Sequence, residues 1–184
     1  MNAVLENPDK VWTYEEYLTL EEGVVFEFIN GSAYWPPSPE LAHQHWLGEL
    51  LVKIADWVDY HRLGEALPRP VDVVSDVQNV VQPDIIFVAD ANAGLLERRG
   101  IMGTPDLVVE VISPGSVRRD RYDKRELYAR FGVKEYWLAD VANRSLEVLT
   151  LQNGAYQLSS FATGTGKISS TVLPGLELDL AQLD

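Results

Sequence analysis

The stretch PDLVVEVISPG, residues 105–115, decides the fold. Its middle, from Leu107 to Ile112, is apolar except for Glu110, and this pattern predicts a strand that is buried on both faces. Pro114 and Gly115 end the strand. A buried carboxylate costs several kcal/mol unless its charge is compensated, so the sequence predicts a partner for Glu110.

The segments that follow this strand predict its neighbours. Ser116 to Phe131 has the pattern of a helix, with Gly132 as the residue that ends it. The run EYWLAD, residues 135–140, is then a second strand. A strand, a crossover helix and a strand indicate at least one parallel pair in a central sheet. We therefore predict an α/β (α+β) fold with a mixed central β-sheet flanked by helices.

The segments farther out predict an N-terminal helix-hairpin and extra C-terminal strands around this centre. TYEEYLTLEE begins a helix with a capping box at Thr13 and Glu16, and VVFEFI is a strand followed by a hairpin turn at Asn30-Gly31. Pro39 to His61 has a helical stripe, and VDVVSDVQNVVQPDIIFVAD (residues 71–90) is expected to form two strands. The C-terminal strands come from SLEVLTL, YQLSSF and TVLPGLELDL. With no repeat or linker in the chain, we expect one domain, residues 1–184.

Composition limits the classes of function. The chain has no cysteine, which excludes disulfides and thiolate zinc sites, and it has no apolar run long enough to span a membrane. The first ten residues, MNAVLENPDK, do not resemble a secretory signal, so we expect a cytoplasmic protein that needs no organic cofactor. The net charge of −13 argues against nonspecific binding to nucleic acid. Residues 111–135, however, carry a local net charge of +3.

Three carboxylates stand on predicted strands in apolar surroundings. They are Glu27 in VVFEFI, Asp84 after Gln82-Pro83, and Glu110. Each could simply lie at a strand end facing water. If they converge instead, they repel one another, so that either some hold protons or a cation lies among them. Hard oxygen ligands suit Mg²⁺ or Mn²⁺.

The helix after Glu110 favours convergence. Its inward stripe is predicted to contain two charged residues, Asp120 and Lys124, among apolar ones. These two could form an ion pair at the edge of the stripe, which contributes little to stability. Alternatively, Lys124 reaches back to the strand of Glu110, and we favour this interpretation. The predicted stripe is Val117, Asp120, Lys124, Leu127, Tyr128 and Phe131.

Three segments resemble a known family. QPDIIFV, PDLVVEVISPGS and DRYDKRELYARFGVKEYWLAD are similar to the PD-(D/E)XK nuclease superfamily, and within it to the Uma-two family of restriction-endonuclease-like proteins. The resemblance implies a restriction-endonuclease-like sheet, with Asp84 and Glu110 as ligands of Mg²⁺ or Mn²⁺. It implies that Glu27 is an added ligand or a base. The superfamily's lysine position, two residues after Glu110, is Ile112 here, so Lys124 is the candidate for that role.

The resemblance also implies a function, a metal-dependent endonuclease that hydrolyses DNA phosphodiester bonds as a homodimer. Arg118, Arg119, Arg121 and Arg125 would contact the DNA backbone, and His43 and Asp120 are possible accessory residues. Asp106 also follows a proline, but it lies about 13 Å along the strand from Glu110, too far to share one ion with it.

Two other hypotheses stay open from the sequence. The first is a catalytically degenerate module of the same fold that binds nucleic acid or a protein partner. The second is a hydrolase with paired carboxylates, such as a glycosidase.

Overall fold

The computed structural model describes residues 10–20, 26–35 and 40–183. The capping box is present at the start of this part: the Thr13 hydroxyl accepts from the amide of Glu16, whose carboxylate accepts from the amide of Thr13. It begins a single helical turn, α1 (Tyr14–Tyr17), which is shorter than the predicted helix. Residues 1–9, 21–25, 36–39 and 184 lie outside the described part, and with them the end of TYEEYLTLEE, the first two residues of VVFEFI and Pro39.

The predicted hairpin is confirmed. Strands β1 (Glu27–Ile29) and β2 (Ser32–Tyr34) pair antiparallel. Both turn residues have positive φ, 51° at Asn30 and 75° at Gly31, which is the requirement of a tight hairpin turn. A side chain at Gly31 would overlap Val11, so this position also needs glycine for space.

The long helix α2 (Leu41–His61) buries most of the predicted stripe, including His43, Leu50 and Ile54, but His61, which was predicted to belong to the stripe, is exposed. The described strands after it, in chain order, are β3 (Gly64–Pro68), β4 (Val73–Asp76), β5 (Asn79–Val81), β6 (Ile85–Ala89), β7 (Leu96–Glu97), β8 (Gly100–Met102) and β9 (Leu107–Ile112). A 3₁₀ helix, Asp90–Leu95, separates β6 from β7. None of the described helices is both long enough and apolar enough to cross a membrane.

The prediction of two strands in residues 71–90 is wrong, because the segment forms three. The chain turns back between β4 and β5. A carboxylate oxygen of Asp76 accepts from the amide of Gln78 at 2.8 Å and from the side-chain amide of Asn79 at 2.7 Å. An aspartate that bonds the backbone two residues on makes a turn without glycine or proline, and so the apolar run conceals it.

The helix after β9 contains an irregular turn. Residues 119–124 are a π-helix, Arg119–Lys124, which continues into α3 (Arg125–Phe131) and ends at Gly132 with φ 86°. Asp120, Lys124, Leu127 and Tyr128 are buried as predicted. The prediction for Val117 is wrong, since this residue is 40% exposed. The wider π turn changes the angular step along the helix, so Val117 no longer shares a face with Leu127.

The remaining described strands are β10 (Glu135–Asp140), β11 (Ser145–Gln152), β12 (Ala155–Thr163), β13 (Lys167–Ser169) and β14 (Glu177–Asp179). Strands β9 and β10, which the helix connects along the chain, pair in parallel, and this confirms the predicted crossover. The described strands form one sheet of order β2-β1-β5-β4-β8-β7, a second of order β12-β11-β10-β9-β6-β3, and the pair β13-β14. The predicted mixed α/β fold is confirmed, although the described strands form two six-stranded sheets where one central sheet was predicted.

The second sheet determines where Glu110 points. Leu107, Val109 and Val111 pack into the core that contains α2. Val108 and Ile112 pack on the opposite face against Leu127 and Tyr128 of α3. Because side chains alternate along a strand, Glu110 faces the π-helix and α3.

Candidate active site

Strand register brings three charged residues into one row. Ile85 of β6 pairs with Val109 of β9, so Asp84, one residue before β6, lies beside Glu110. The amide of Val111 donates to Oδ2 of Asp84 at 2.8 Å, which fixes this carboxylate at the end of β9. On the other side, the amide of Arg69 donates to the carbonyl of Asp84 at 3.1 Å. The row therefore runs Arg69, Asp84, Glu110 across three adjoining strands.

Lys124 is the chain's own partner for Glu110. Its ammonium lies 2.7 Å from Oε1 of Glu110 and 2.8 Å from Oε1 of Glu27. The Tyr128 hydroxyl donates to the same Oε1 of Glu110 at 2.8 Å. Lys124 thus reaches back to the strand of Glu110, as its place on the inward apolar stripe of the helix predicted. Glu110 has two hydrogen-bond donors from this helix, Lys124 and Tyr128.

Glu27 reaches the site from the first sheet. The amide of Gln82 donates to its Oε1 at 2.8 Å, and Arg119 lies 3.7 Å from its Oε2. Gln82 belongs to the short link between β5 and β6, which joins the two sheets. The same link carries Asp84, and this connection holds Glu27 and Asp84 close together.

Asp84 has two side-chain neighbours of its own, Arg69 and His43. Arg69 donates to Oδ1 at 3.2 Å, and Nε2 of His43 in α2 lies 3.3 Å from Oδ2. Nδ1 of His43 is buried and has no hydrogen-bond partner among the described residues. His43 thus belongs to the site, whereas His45 and His61 are exposed on the surface of α2.

These groups surround a small cavity of about 30 Å³, called the carboxylate cavity below. Its carboxylates are Glu27, Asp84, Glu110 and Asp120, and its cationic side chains are Arg69, Arg119 and Lys124. His43, Val111, Ser113 and Ser116 complete the wall. A site with four carboxylates and three cations keeps a formal negative charge when His43 is neutral.

Burial and charge shift the pKa values in this cavity. Burial, with repulsion from Asp120, Asp84 and Glu27, raises the pKa of Glu110 to about 8 against the attraction of Lys124. The carboxylates of Glu110 and Glu27 outweigh burial at Lys124 and raise its pKa, so it stays charged.

The two aspartates of the cavity are shifted in opposite directions. Burial raises the pKa of Asp120. At Asp84 burial acts in the same direction, but the hydrogen bond and charge of His43, with Val111 and Arg69, lower its pKa. Asp84 is therefore ionised at neutral pH.

The donor set fits a small, hard cation. Asp84 and Glu110 offer two carboxylates side by side, and the cavity has room for about an ion and a water. No group of three or more His, Asp or Glu side chains with metal-binding geometry occurs in the part of the chain that the structure describes. A site with two carboxylates suits Mg²⁺ or Mn²⁺, which keep several waters, better than metals that need a complete protein cage.

The predicted backbone-contacting arginines do not act as one group. Arg119 lines the cavity and stacks over the ring of Tyr34 at 5.1 Å. Arg121 is paired with Glu147 at 2.7 Å and with Asp140 at 3.4 Å. These two carboxylates weaken the attraction of Arg121 for an anionic ligand. Arg125 donates to the carbonyl of Tyr156 at 3.2 Å, and Arg118 is exposed.

Asp106 does not line the carboxylate cavity. It accepts from Lys134 at 2.6 Å, from the amide of Ala89 at 2.8 Å and from Asn92 at 3.0 Å. Its contacts connect the start of β9 to the end of β6.

Sequence reasoning missed Arg69 and assigned Tyr128 to the core alone. Arg69 has no signal in its own segment, because its place depends on the pairing of β3 with β6. Tyr128 had a signal, since it follows Lys124 by one turn on the inward face. A buried tyrosine hydroxyl usually needs a polar partner, and here that partner is Glu110.

Comparison with known proteins identifies the family of this chain. The model of the family Uma2, described as "Putative restriction endonuclease", matches residues 14–181. The chain belongs to the Uma2 family. Membership supports nuclease-like function and does not favour the glycosidase hypothesis. No curated protein matches the chain.

A solved structure shares the fold of this Uma2 chain. It is described as the crystal structure of a putative nuclease belonging to DUF820 from Anabaena variabilis ATCC 29413. The match has a TM-score of 0.76 and 19% sequence identity, and it covers 93% of this chain and 96% of the other. At this identity the likeness shows the fold.

Proposed function

We propose that this Uma2 chain hydrolyses phosphodiester bonds of DNA with the help of Mg²⁺ or Mn²⁺ at the carboxylate cavity. One observation carries the proposal: a buried lysine, Lys124, lies within 2.8 Å of two glutamates beside Asp84. A buried cluster of like charges destabilises a fold, and such clusters with shifted pKa values occur preferentially at functional sites. The family membership supports the same activity.

Asp84 and Glu110 would hold the metal ion. Asp84 is ionised and fixed by the amide of Val111, so it offers a positioned ligand. Oε1 of Glu110 accepts from both Lys124 and Tyr128, which orients its other oxygen for a ligand. When bound, such an ion lowers the pKa of a bound water and polarises a phosphoryl group.

The other residues of the cavity would act on the substrate. Lys124 is charged and central, so it would stabilise the negative charge that grows on the phosphoryl oxygens as water attacks phosphorus. Arg119 and Arg69, with side chains 16% and 26% exposed, would hold the non-bridging oxygens from the two sides of the cavity mouth. Oε2 of Glu27 would accept the proton of the attacking water, because its Oε1 is already engaged by Lys124 and Gln82.

Titration calorimetry with Mg²⁺ and Mn²⁺, combined with nicking of supercoiled plasmid, tests this proposal. The variants are the double variant Asp84→Asn with Glu110→Gln, and Lys124→Met. We expect the double variant to lose metal binding, and both variants to lose nicking by about 10²-fold or more. Lys53→Met is the matched control, because Lys53 lies on α2 and bonds Gln182 outside the cavity. Wild-type protein that binds neither metal would contradict the proposed site.

A second candidate function is a catalytically degenerate module that binds nucleic acid or a protein. One observation favours it: Lys124 is held by two ion pairs, so its charge is already neutralised within the chain. This hypothesis predicts metal-free folding, weak metal binding and no nicking in the wild type.

The homodimer implied by the family stays a prediction. Size-exclusion chromatography with light scattering would measure the mass of the protein in solution and check it.

A further inference from the structure

A second hollow opens beside the carboxylate cavity and shares two of its residues, His43 and Ser113. It is called the side groove below, and its volume is about 550 Å³. Its other walls come from Glu40 at the start of α2, from Ile112 and Pro114 at and after the end of β9, and from Ala142 in the turn after β10. The ion pair of Arg121 and Asp140 also lines it. Small-molecule sites in proteins have this size, with mainly apolar walls and few polar groups.

Val117 forms part of the apolar wall of the side groove. The π-helix that contains the buried Asp120 and Lys124 follows directly after Val117, which is 40% exposed in a place where an α-helical stripe would bury it. An exposed valine and a π turn both disfavour folding, and such compromises are expected at functional sites. The same irregular turn thus shapes the carboxylate cavity and the side groove.

The charges of the chain indicate how a nucleic acid would bind. Binding to a duplex depends on many lysine and arginine contacts with phosphates, yet the net charge is −13 and Arg121 is neutralised by Asp140 and Glu147. Few phosphates can therefore be held. The remaining affinity must come from apolar contact, and the π-face of a base supplies it only when the base is unpaired and unstacked.

We infer that the side groove binds the unpaired base next to the scissile phosphate, so that the substrate is single-stranded DNA or a locally opened strand. This inference rests on the proposed function, since the phosphate is taken to lie at the mouth of the carboxylate cavity. The shared residues His43 and Ser113 make the two hollows direct neighbours, as a nucleotide with its phosphate requires. The apolar residues Ile112, Pro114 and Val117 contact the base, and Arg69 and Arg119 contact the phosphate.

Fluorescence anisotropy with a labelled short oligodeoxynucleotide tests the inference, with Ca²⁺ replacing Mg²⁺ so that the strand is not cut. The wild type should bind the single strand about tenfold more tightly than the same sequence as a blunt duplex. Ala142→Trp, which fills the groove, should weaken single-strand binding about tenfold, and Val117→Asn should weaken it less. Val52→Asn is the matched control, because Val52 is an exposed helical valine outside the groove.

The outcomes separate the inference from the proposed function. Equal or tighter binding of the duplex, or unchanged binding by Ala142→Trp, would overturn the side groove as a base site, whether or not the protein nicks plasmid. Loss of single-strand binding in Ala142→Trp supports the groove even where the wild type shows no nicking, and in that case only the catalytic proposal fails. A wild type that binds neither strand form overturns the inference as well.

Discussion

The ammonium of Lys124 lies 2.7 Å from Oε1 of Glu110. Glu110 lies on β9 and Lys124 on the helix that follows it after the turn at residues 113–116. Both side chains are only 4% exposed. The pair occupies the centre of a site that also contains Glu27 from the first sheet, Asp84 beside the second sheet and Asp120 from the π-helix. Lys124 compensates the charge of Glu110 and Glu27, whereas Arg69 and His43 contact Asp84.

Replacing Lys124 with methionine should destabilise the metal-free protein by about 3 kcal/mol. The substitution leaves Glu27 and Glu110 buried without their cation, and the charged form of each is then disfavoured. Urea unfolding followed by circular dichroism measures the change. Addition of Mg²⁺ should restore part of the loss if the ion binds the same carboxylates. Equal stability of the variant and the wild type would contradict the central role of Lys124.

Binding of Mg²⁺ should strengthen as the pH rises towards 8 and change little above it. The pKa of Glu110 is about 8 in the metal-free protein, because burial and neighbouring carboxylates disfavour its ionised form. Below this pH the ion must displace a proton, so affinity should rise by up to about tenfold per pH unit. Calorimetry in two buffers of different ionisation heat would measure the proton released. The Glu110→Gln variant should show neither effect, and a pH-independent affinity in the wild type would argue against Glu110 as a ligand.

Replacing Asp106 with asparagine should lower stability by about 1–3 kcal/mol and leave Mg²⁺ binding unchanged. Burial raises the pKa of Asp106, but hydrogen bonds from Asn92, Lys134 and Ala89 outweigh it and lower the pKa. Because the folded value lies below the unfolded value of about 3.9, the stabilisation is present above about pH 4 and is lost as the pH falls through the folded pKa.

The difference in the free energy of unfolding between the wild type and Asp106→Asn should therefore become smaller in acid. Urea titrations over a pH series would show this. Lys134→Ala should cost less, about 1 kcal/mol or below, because Lys134 is 63% exposed. A loss of Mg²⁺ binding in Asp106→Asn would indicate that Asp106 has been placed outside the site wrongly.

Local patterns in the sequence were sufficient for much of the fold. A few consecutive residues predict the buried strand at Leu107–Ile112, its parallel partner and the turn at Asn30-Gly31. The proximity of Lys124 to Glu110 was also predictable, because a charged residue on an apolar stripe requires a partner. These features depend on alternation and helical period, which short segments contain.

Features that depend on long-range pairing could not be predicted. Arg69 lies beside Asp84 only because β3 pairs with β6, and nothing near Arg69 specifies that register. The first sheet likewise joins three local hairpins through two pairings between strands that are distant in the chain, β1 with β5 and β4 with β8. The exposure of Val117 was missed for a different reason, since a period of 3.6 residues assumes that no π turn interrupts the helix.

Replacing Tyr128 with phenylalanine should weaken Mg²⁺ binding by about tenfold, because its hydroxyl orients the Glu110 carboxylate at 2.8 Å. Tyr156→Phe is the matched control: this mostly buried hydroxyl also donates a hydrogen bond, to the carbonyl of Val133 at 2.7 Å, but away from the carboxylate cavity.

Each of the two tyrosine variants should lose about 1–2 kcal/mol of stability, since each removes one hydrogen bond from a buried acceptor. Only Tyr128→Phe should also change the calorimetric affinity for Mg²⁺. If both variants weaken Mg²⁺ binding equally, the effect comes from general loosening of the fold. If neither does, Lys124 alone is sufficient to orient Glu110, and the tyrosine hydroxyl serves stability only.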